Sequence, residues 1–178
     1  QYRIGKMFCY GLGTEQDYQK AFEWFERSAK QKNKFAQFSL ANLYYYGNGV
    51  EKDLPQAFLW YQRSSSQGQP YAAYSIAQMY RYGEYVTKDN DTAQRYYKQA
   101  LSGFLKIESD DMANDDLFYK LGQMFKFGLG TDSDVTKAIE YFKRSAEMNN
   151  KNGFFEYGKA LLTGEHIPQD TDSAVKLL

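Results

Sequence analysis

The sequence predicts an all-α fold, an α-solenoid of antiparallel helix pairs, from two observations. A segment covering residues 36–65, AQFSLANLYYYGNGVEKDLPQAFLWYQRSS, recurs along the chain with steps of 36, 36, 45 and 36 residues. Three columns keep that register through five copies: Gly11, Gly47, Gly83, Gly128 and Gly164; Asp17, Asp53, Asp89, Asp134 and Asp170; Ala21, Ala57, Ala93, Ala138 and Ala174. A fixed period of this length is typical of stacked helical repeats. We therefore expect about four and a half repeats in the 178 residues.

The first half of each repeat is predicted to form a helix, which we call helix A. In the copy at residues 36–46, small or apolar residues recur at Ala36, Leu40, Leu43 and Tyr44, which places them on one helical face. Gly47 follows directly. A glycine there can adopt the left-handed conformation that satisfies the last carbonyls without a steric penalty on Cβ. The glycine column is therefore expected to end every helix A.

The second half of each repeat is predicted to form helix B. Asp53 is placed to cap its N-terminus, Pro55 is tolerated in the first turn, and Ala57 is small where two helices approach closely. An aromatic pair follows in four copies, as Trp24-Phe25, Trp60-Tyr61, Tyr96-Tyr97 and Tyr141-Phe142, and the last copy has Leu177-Leu178. One helix pair has too little apolar area to be stable alone, so we expect these side chains in the core between stacked repeats.

Length and charge restrict the possible classes of function. Composition does not shift along the chain, so residues 1–178 are expected to form a single domain. Lysine plus arginine and aspartate plus glutamate both number 22. A net charge of zero argues against non-specific binding to nucleic acid or to an anionic membrane. No apolar run approaches the length that spans a bilayer, about 18 residues.

Both ends of the chain cut through a repeat, since it begins inside a helix A and ends inside a helix B. Repeat arrays normally finish in terminal repeats with a polar outer face. We therefore expect this segment to come from a longer protein. Localisation and oligomeric state stay open: the cytoplasm is slightly favoured, and a secreted or periplasmic location would require a signal peptide outside these residues.

The third and fourth repeats depart from the pattern. Tyr85 stands where the first two repeats have Gly13 and Gly49, a position suited to positive φ, and this predicts a reshaped loop. The single step of 45 residues leaves nine extra residues between Ala100 and Leu117. Apolar residues continue a helical spacing into this insertion and predict a longer helix B, at Leu101, Phe104, Leu105 and Met112.

The insertion also contains a cluster of acidic residues: Glu108, Asp110, Asp111, Asp115 and Asp116. A calcium site is one interpretation, because carboxylate oxygens at short spacing suit that ion, but the ligand order and central glycine of an EF-hand loop are absent. We favour a solvated loop in which Asp115 or Asp116 caps the next helix.

Cys9 and His166 are the only cysteine and histidine in the chain. An intramolecular disulfide is therefore impossible, and neither residue has a second ligand of the ordinary kind for a metal centre. The aspartate column is assigned to helix capping. We predict no catalytic residue, no metal and no cofactor.

Together these marks resemble the Sel1-like repeat, a relative of the tetratricopeptide repeat. The resemblance extends over essentially the whole chain, and a 36-residue step distinguishes it from the tetratricopeptide unit of about 34 residues. The residues that carry it most completely are Ala36, Leu40, Ala41, Tyr44, Gly47, Gly49, Val50, Asp53, Ala57 and Trp60. It implies a right-handed superhelix that acts as a protein-binding scaffold, with the A helices lining its concave side.

A second resemblance covers residues 104–134, FLKIESDDMANDDLFYKLGQMFKFGLGTDSD. This stretch is similar to the repeat-bearing C-terminal tails of relaxases from conjugative elements of bacteria. The histidine cluster of the nuclease domain is missing, so this resemblance implies at most a non-catalytic interaction or assembly tail of a protein that mobilises DNA.

The side of helix A away from its apolar face is the predicted binding surface for a partner peptide or helix. Tyrosine and arginine are favoured at interfaces, because they bury area while losing little rotamer freedom. The candidate contacts are Arg3, Lys6 and Tyr10; Ser39, Asn42 and Tyr46; Ser75, Gln78 and Tyr82; Lys120, Gln123 and Phe127; Glu156, Lys159 and Thr163. The sequence equally allows the four aromatic members to pack against the neighbouring repeat.

The sequence also contains one motif that would suggest an enzyme. Ser173 and Lys176 fit the S-x-x-K pattern of acyl-serine enzymes of the β-lactamase type. That motif spans the core alanine Ala174, and the accompanying S-D-N and K-T-G motifs are absent from the sequence. We therefore interpret the chain as a non-enzyme.

Overall fold

The computed structural model describes residues 1–110 and 112–177, and every regular element in these ranges is a helix. The A helices are α1 (Tyr2–Tyr10), α3 (Lys34–Tyr46), α5 (Pro70–Tyr82), α7 (Asp115–Phe127) and α9 (Lys151–Thr163). The B helices are α2 (Tyr18–Lys30), α4 (Leu54–Ser66), α6 (Asn90–Ser109), α8 (Val135–Glu147) and α10 (Thr171–Leu177). The fold is therefore the predicted α-solenoid of helix pairs. Asp111 of the acidic cluster and Leu178 of the last apolar pair lie outside the described residues.

The chain forms two compact units, Gln1–Ala100 and Leu101–Leu178. In the first unit, α1 to α5 pack in chain order, each helix against the next. In the second unit, α7 to α10 pack in the same way. Helix α6 begins in the first unit and ends in the second. The expectation of a single domain over residues 1–178 stays a prediction.

Each helix A ends at a residue of the glycine column in the left-handed conformation. The φ angles of Gly11, Gly47, Gly83, Gly128 and Gly164 lie between 62° and 73°. The N–H of Gly47 donates to the carbonyl of Leu43, four residues back, and the other copies repeat this bond. The glycines thus stop helix A and turn the chain towards helix B.

The aspartate column connects the two helices of each repeat. The Asp53 carboxylate accepts from the Gln56 N–H at 2.9 Å, and the Asp53 N–H donates to the Tyr44 carbonyl of helix A at 2.9 Å. The same two bonds recur at Asp17, Asp89, Asp134 and Asp170. One residue therefore caps helix B and anchors it to the end of helix A.

The aromatic pairs contribute unequally to the core. Their second members, Phe25, Tyr61, Tyr97 and Phe142, are all buried. Of the first members, Trp60 and Tyr141 are buried, whereas Trp24 and Tyr96 are half-buried. The prediction of a core role therefore holds for the second member of each pair and for two of the four first members.

The insertion lengthens helix B as predicted, but its end is built differently. Helix α6 has 20 residues, against 13 in α4. It ends at Ser109, so the prediction that it reaches Met112 is wrong; the Met112 side chain is 66% exposed and adds no core packing that would extend the helix. Asn114 caps α7 by accepting from the Leu117 N–H at 2.8 Å, so the prediction of a cap by Asp115 or Asp116 is wrong. Asp115 already lies in the first turn, where its carboxylate accepts from the Asn150 side chain at 3.0 Å. Because an amide oxygen caps as well as a carboxylate, the helix begins one residue earlier than the acidic residues suggested.

The acidic cluster is also less solvated than predicted. Glu108 accepts from the Tyr141 hydroxyl at 2.8 Å and pairs with the Arg144 guanidinium. Asp116 pairs with Lys120 at 3.0 Å. These carboxylates are engaged with helices α7 and α8, because the longer α6 places Glu108 beside α8.

Tyr85 does not reshape its loop. Its φ is 66°, close to the 72° and 70° of Gly13 and Gly49 in the same position. A non-glycine residue pays about 1–2 kcal/mol for this conformation. The Tyr85 ring lies 5.6 Å from the Phe58 ring, and this apolar contact offsets the backbone cost.

Candidate functional site

Four aromatic side chains stand out because they are large and exposed. Tyr10, Tyr46, Tyr82 and Phe127, which we call the aromatic column, are each the last residue of a helix A. Their exposed fractions are 62%, 66%, 61% and 53%. More than half of each of these residues is thus open to solvent. The fifth repeat has Thr163 at this position.

A cation or a second ring accompanies each member of the column. The Lys6 ammonium lies 6.0 Å from the Tyr10 ring centroid, and the Arg81 guanidinium lies 5.4 Å from that of Tyr82. The Lys126 ammonium lies 5.4 Å from the Phe127 ring, while Tyr46 meets Tyr45 edge to face at 4.9 Å. Such contacts restrict the exposed rings before any partner arrives, which lowers the entropy lost on binding.

Behind the column, Tyr45 joins two repeats of the first unit. Its hydroxyl donates to the Glu84 carboxylate at 2.6 Å, which connects α3 to the loop after α5. Burial, followed by the hydrogen bond and charge of Glu84, raises the pKa of Tyr45 from its ordinary 10.0 to about 12. The protonated phenol is therefore the form that holds this junction.

This junction should weaken in alkali. The unfolded chain releases the Tyr45 proton at a lower pH than the folded chain, so the contact stabilises fully below pH 10.0 and fades as pH rises towards about 12. Urea unfolding of the wild type and of Tyr45→Phe should therefore show a stability difference that shrinks over that interval. Lysine titration affects both proteins alike, so it cancels in the comparison. A difference that stays constant between pH 9 and pH 11.5 would contradict this assignment.

Several polar members of the predicted binding surface hold the repeats together. The Tyr61 hydroxyl of α4 donates to the Asn42 side chain at 2.6 Å, and the Ser75 side chain of α5 lies near the same hydroxyl. The Ser39 side chain lies near the Tyr2 hydroxyl of α1. Asn42 therefore joins the two helices of one repeat, whereas Ser39 and Ser75 lie between neighbouring repeats. All three residues are half-buried, and so is Gln78 of α5. Exposed polar side chains on this surface of the first unit are those of Arg3 and Lys6.

In the second unit the predicted surface carries internal ion pairs and hydrogen bonds. Lys120 pairs with Asp116, and the Gln123 side chain donates to the Tyr119 hydroxyl at 2.8 Å. Glu156 of α9 pairs with Lys126 of α7 at 2.6 Å. Lys159 and Thr163 are exposed. Charge reversal at Lys120 would therefore affect helix stability as well as any partner contact.

The charge of the A helices differs between the units. In the first unit, α1, α3 and α5 contain no acidic residue, and their charged side chains are all basic: Arg3, Lys6, Lys34 and Arg81. The whole first unit has 13 basic and 9 acidic residues, a formal charge of +4, whereas the second has 9 and 13, a charge of −4. The overall neutrality of the chain conceals this asymmetry.

Cys9, His166 and Ser173 are the other reactive side chains that the sequence analysis considered. Burial raises the pKa of the half-buried Cys9 thiol, which lowers its thiolate fraction. His166 is exposed, with Nε2 3.8 Å from Glu165. The Ser173 N–H donates to Asp170, and Ala174 between Ser173 and Lys176 is fully buried.

Within residues 1–110 and 112–177, no group of three or more histidine, cysteine or acidic side chains is placed to hold a metal ion. None of the described helices has the length and apolarity to cross a membrane.

Five consecutive segments of the chain match the model of the Sel1 repeat, at residues 1–33, 34–69, 70–103, 119–150 and 155–178. The chain belongs to the Sel1 repeat family. The Sel1 matches leave out residues 104–118, which contain the end of α6 and the acidic cluster. Sel1 repeat proteins generally mediate protein–protein interactions. A comparison with curated proteins gave no match.

Solved Sel1 structures share the fold. A Sel1 repeat protein from Oxalobacter formigenes is 27% identical, with a TM-score of 0.68 over 99% of this chain and 68% of its own. The protective antigen c5321 of uropathogenic Escherichia coli, which displays an SLR fold, is 26% identical with a TM-score of 0.64; the match covers 99% of this chain and 36% of c5321. A Sel1 repeat protein from Klebsiella pneumoniae, 22% identical, shows the same fold with a TM-score of 0.60 over 99% of this chain and 81% of its own.

The sequence analysis did not identify the cations that lie beside the rings of the aromatic column, or the hydrogen bond behind it. Arg81 and Lys126 directly precede Tyr82 and Phe127, and that spacing could have indicated the cation beside each ring. The bond between Tyr45 and Glu84 had no such signal, because it joins residues 39 positions apart.

Proposed function

We propose that this chain is a non-catalytic scaffold that binds an acidic segment of a partner protein, extended or helical, along the A helices of its first unit. The observation that carries this proposal is the aromatic column. Tyr10, Tyr46 and Tyr82 occupy equivalent positions in three successive repeats, and each is more than half exposed. Large exposed aromatic side chains are typical anchors of protein interfaces.

The charge of the same helices selects the partner. Arg3, Lys6 and Arg81 lie on helices that carry no acidic side chain, and two of them lie beside column rings. A segment with carboxylates would be attracted to this surface, and a basic one repelled. We propose that this surface is the concave side that the resemblance implies. The relaxase-tail and acyl-serine alternatives stay predictions that no observation favours.

The triple variant Y10A/Y46A/Y82A tests the proposal. We expect it to lose partner capture from lysate, because each anchor tyrosine contributes about 2 kcal/mol or more at an interface. Mass spectrometry identifies the proteins that the wild type captures from lysate and compares their amounts with those captured by the triple variant. Capture should also weaken as salt rises, since the attraction to an acidic segment is screened.

The matched control is L12A/L59A, which removes two exposed apolar side chains of the first unit outside the column. It should capture the same proteins as the wild type. Circular dichroism should show the triple variant folded, because its tyrosines are more than half exposed, and the control folded, because Leu12 and Leu59 are surface residues. Capture that survives in the triple variant at wild-type levels would rule out the column as the binding surface.

A further inference from the structure

A cavity of about 170 Å³ lies in the second unit between α7, α8 and α9, and we call it the α9 cavity. Its floor is apolar and includes Ile139, Phe142 and Ala160. Its rim carries Glu165 and His166 from the loop after α9. The site is partly open to solvent, and Lys126, Glu156 and Lys159 also line it. An enclosed cavity of about 150 Å³ can hold a benzene ring, so the volume of the α9 cavity is sufficient for one aromatic side chain.

Comparison with the first unit explains why this space is open. A shift of 81 residues places the α9 cavity on the equivalent part of the second and third repeats. There the first unit has larger side chains, with Phe58 for Ile139, Met79 for Ala160, Tyr82 for Thr163 and Tyr85 for His166. Met79 is buried, and the Tyr85 ring packs 5.6 Å from the Phe58 ring. Four reductions in side-chain size coincide at the α9 cavity, whereas in the equivalent part of the first unit the Tyr85 ring, in a residue that is 53% exposed, lies against Phe58.

The rim of the α9 cavity also lacks a tyrosine that the first unit has at the equivalent position. Glu84 in the first unit accepts a hydrogen bond from the Tyr45 phenol at 2.6 Å. Its equivalent is Glu165, but Lys126 replaces the tyrosine and pairs with Glu156 at 2.6 Å. The exposed Glu165 carboxylate lies 3.8 Å from His166 Nε2, beyond hydrogen-bond distance. Glu84 therefore accepts a hydrogen bond from a tyrosine in the first unit, whereas Glu165, its equivalent in the second unit, has no tyrosine at the corresponding position.

We propose that the α9 cavity binds the side chain of a tyrosine from a partner segment. The ring occupies the space that the Tyr85 side chain fills in the first unit, against Ile139 and Phe142. The phenol donates a hydrogen bond to Glu165. The biological occupant rests on the proposed scaffold function, whereas binding of a tyrosine ring is a property of the cavity itself.

A methyl-detected NMR titration with N-acetyl-L-tyrosinamide tests this site directly. We expect saturable shifts of the Ile139 and Ala160 methyl signals. His166→Tyr, which restores the residue of the first unit, should weaken probe binding by about tenfold. That variant should fold, because Tyr85 already adopts φ 66° at the equivalent position, where His166 has φ 65°. The mirror exchange, Tyr85→His, leaves the α9 cavity intact and should bind the probe like the wild type.

Two comparisons make the result decisive. Glu165→Ala should weaken N-acetyl-L-tyrosinamide by about threefold, under 1 kcal/mol, and leave N-acetyl-L-phenylalaninamide unchanged. N-acetyl-L-leucinamide should bind more weakly than either aromatic probe. Absent shifts at Ile139 and Ala160, or shifts that are equal in His166→Tyr, would overturn the proposal.

The test also separates this inference from the proposed function. Y10A/Y46A/Y82A should bind N-acetyl-L-tyrosinamide like the wild type, because its substitutions lie in the first unit. If that variant keeps partner capture while the probe still binds the α9 cavity, the column proposal fails and the cavity proposal stands. If capture depends on the column but the probe does not bind the α9 cavity, the column proposal stands and the cavity proposal fails.

Discussion

Replacing Gly49 by alanine should destabilise the chain by about 3–5 kcal/mol, whereas the same change at the equivalent Gly13 should cost about 1 kcal/mol. Both glycines have positive φ, 70° and 72°, so the intrinsic backbone cost is the same. They differ in their surroundings. A Cβ on Gly49 would lie 2.3 Å from the Tyr18 carbonyl carbon and 2.7 Å from the Gln19 nitrogen, whereas a Cβ on Gly13 would meet nothing within 4 Å.

The large effect at Gly49 follows from where its loop lies. The atoms that a Cβ would meet belong to the backbone at the start of α2, in the preceding repeat. Backbone cannot move aside as a flexible side chain can, so the two repeats would have to separate. Because a single helix pair depends on its neighbours for its core, separation removes stability from both.

Urea unfolding monitored by circular dichroism measures the two effects. G13A is the matched control for the backbone conformation, and the difference between the variants isolates the contact with α2. Equal losses in G49A and G13A would show that the loop of the second repeat does not press against the first.

The repeat unit itself was predictable because its marks are local. Gly47 ends α3 and Asp53 caps α4 through bonds that span a few residues, so residue type and spacing were sufficient. The longer α6 was predictable for the same reason, since apolar spacing continued past Ala100. Helix bounds in the other repeats followed from the register.

The errors arose where two local preferences compete or where packing overrides one. Asn114 and Asp115 are both good capping residues, and only the position of the first helical N–H decides between them. Tyr85 keeps a glycine-like φ because Phe58 lies 27 residues earlier, in the preceding helix B, and packs on its ring. Neither outcome can be derived from the residue and its neighbours in sequence.

The candidate site shows the same division. The register predicted that Tyr10, Tyr46, Tyr82 and Phe127 are equivalent, but their exposure depends on how each helix A meets the next repeat. The α9 cavity is defined by four size differences between aligned repeats. Each difference is visible in the sequence, but their convergence on one space requires coordinates.

Glycine inside a helix is normally a weakness, but Gly122 of α7 should be required by the ring opposite it. A Cβ on Gly122 would lie 2.5 Å from two atoms of the buried Phe142 ring. Gly5 has the same relation to Phe25, also at 2.5 Å. The equivalent residues of the second and third repeats are alanines, and tyrosine replaces phenylalanine in the facing column. In the first four repeats glycine therefore accompanies phenylalanine and alanine accompanies tyrosine, whereas the fifth repeat has Gly158 and Leu178 at these positions.

This relation predicts that the effect of Gly122→Ala on the free energy of unfolding changes sign when Phe142 is also replaced by alanine. Phe142→Ala alone should cost about 3–5 kcal/mol, since it leaves a cavity in the core of the second unit. Gly122→Ala alone should cost about 1–2 kcal/mol, because the clash with the ring exceeds the gain in helix propensity of about 1 kcal/mol. In the Phe142→Ala background, the same Gly122→Ala change should stabilise by about 1–2 kcal/mol, because its methyl group enters the space that the ring has left.

The four proteins of the cycle are compared by urea unfolding at neutral pH. We expect a coupling energy of about 2–4 kcal/mol between positions 122 and 142, at the upper end of the range found for residues in direct contact. Gly13→Ala combined with Phe142→Ala is the control pair, because Gly13 belongs to the first unit and has no contact with the ring. Its two effects should add. Additive effects for Gly122→Ala and Phe142→Ala would mean that the ring turns away from an added methyl, and that this glycine is not required for the packing of α7 against α8.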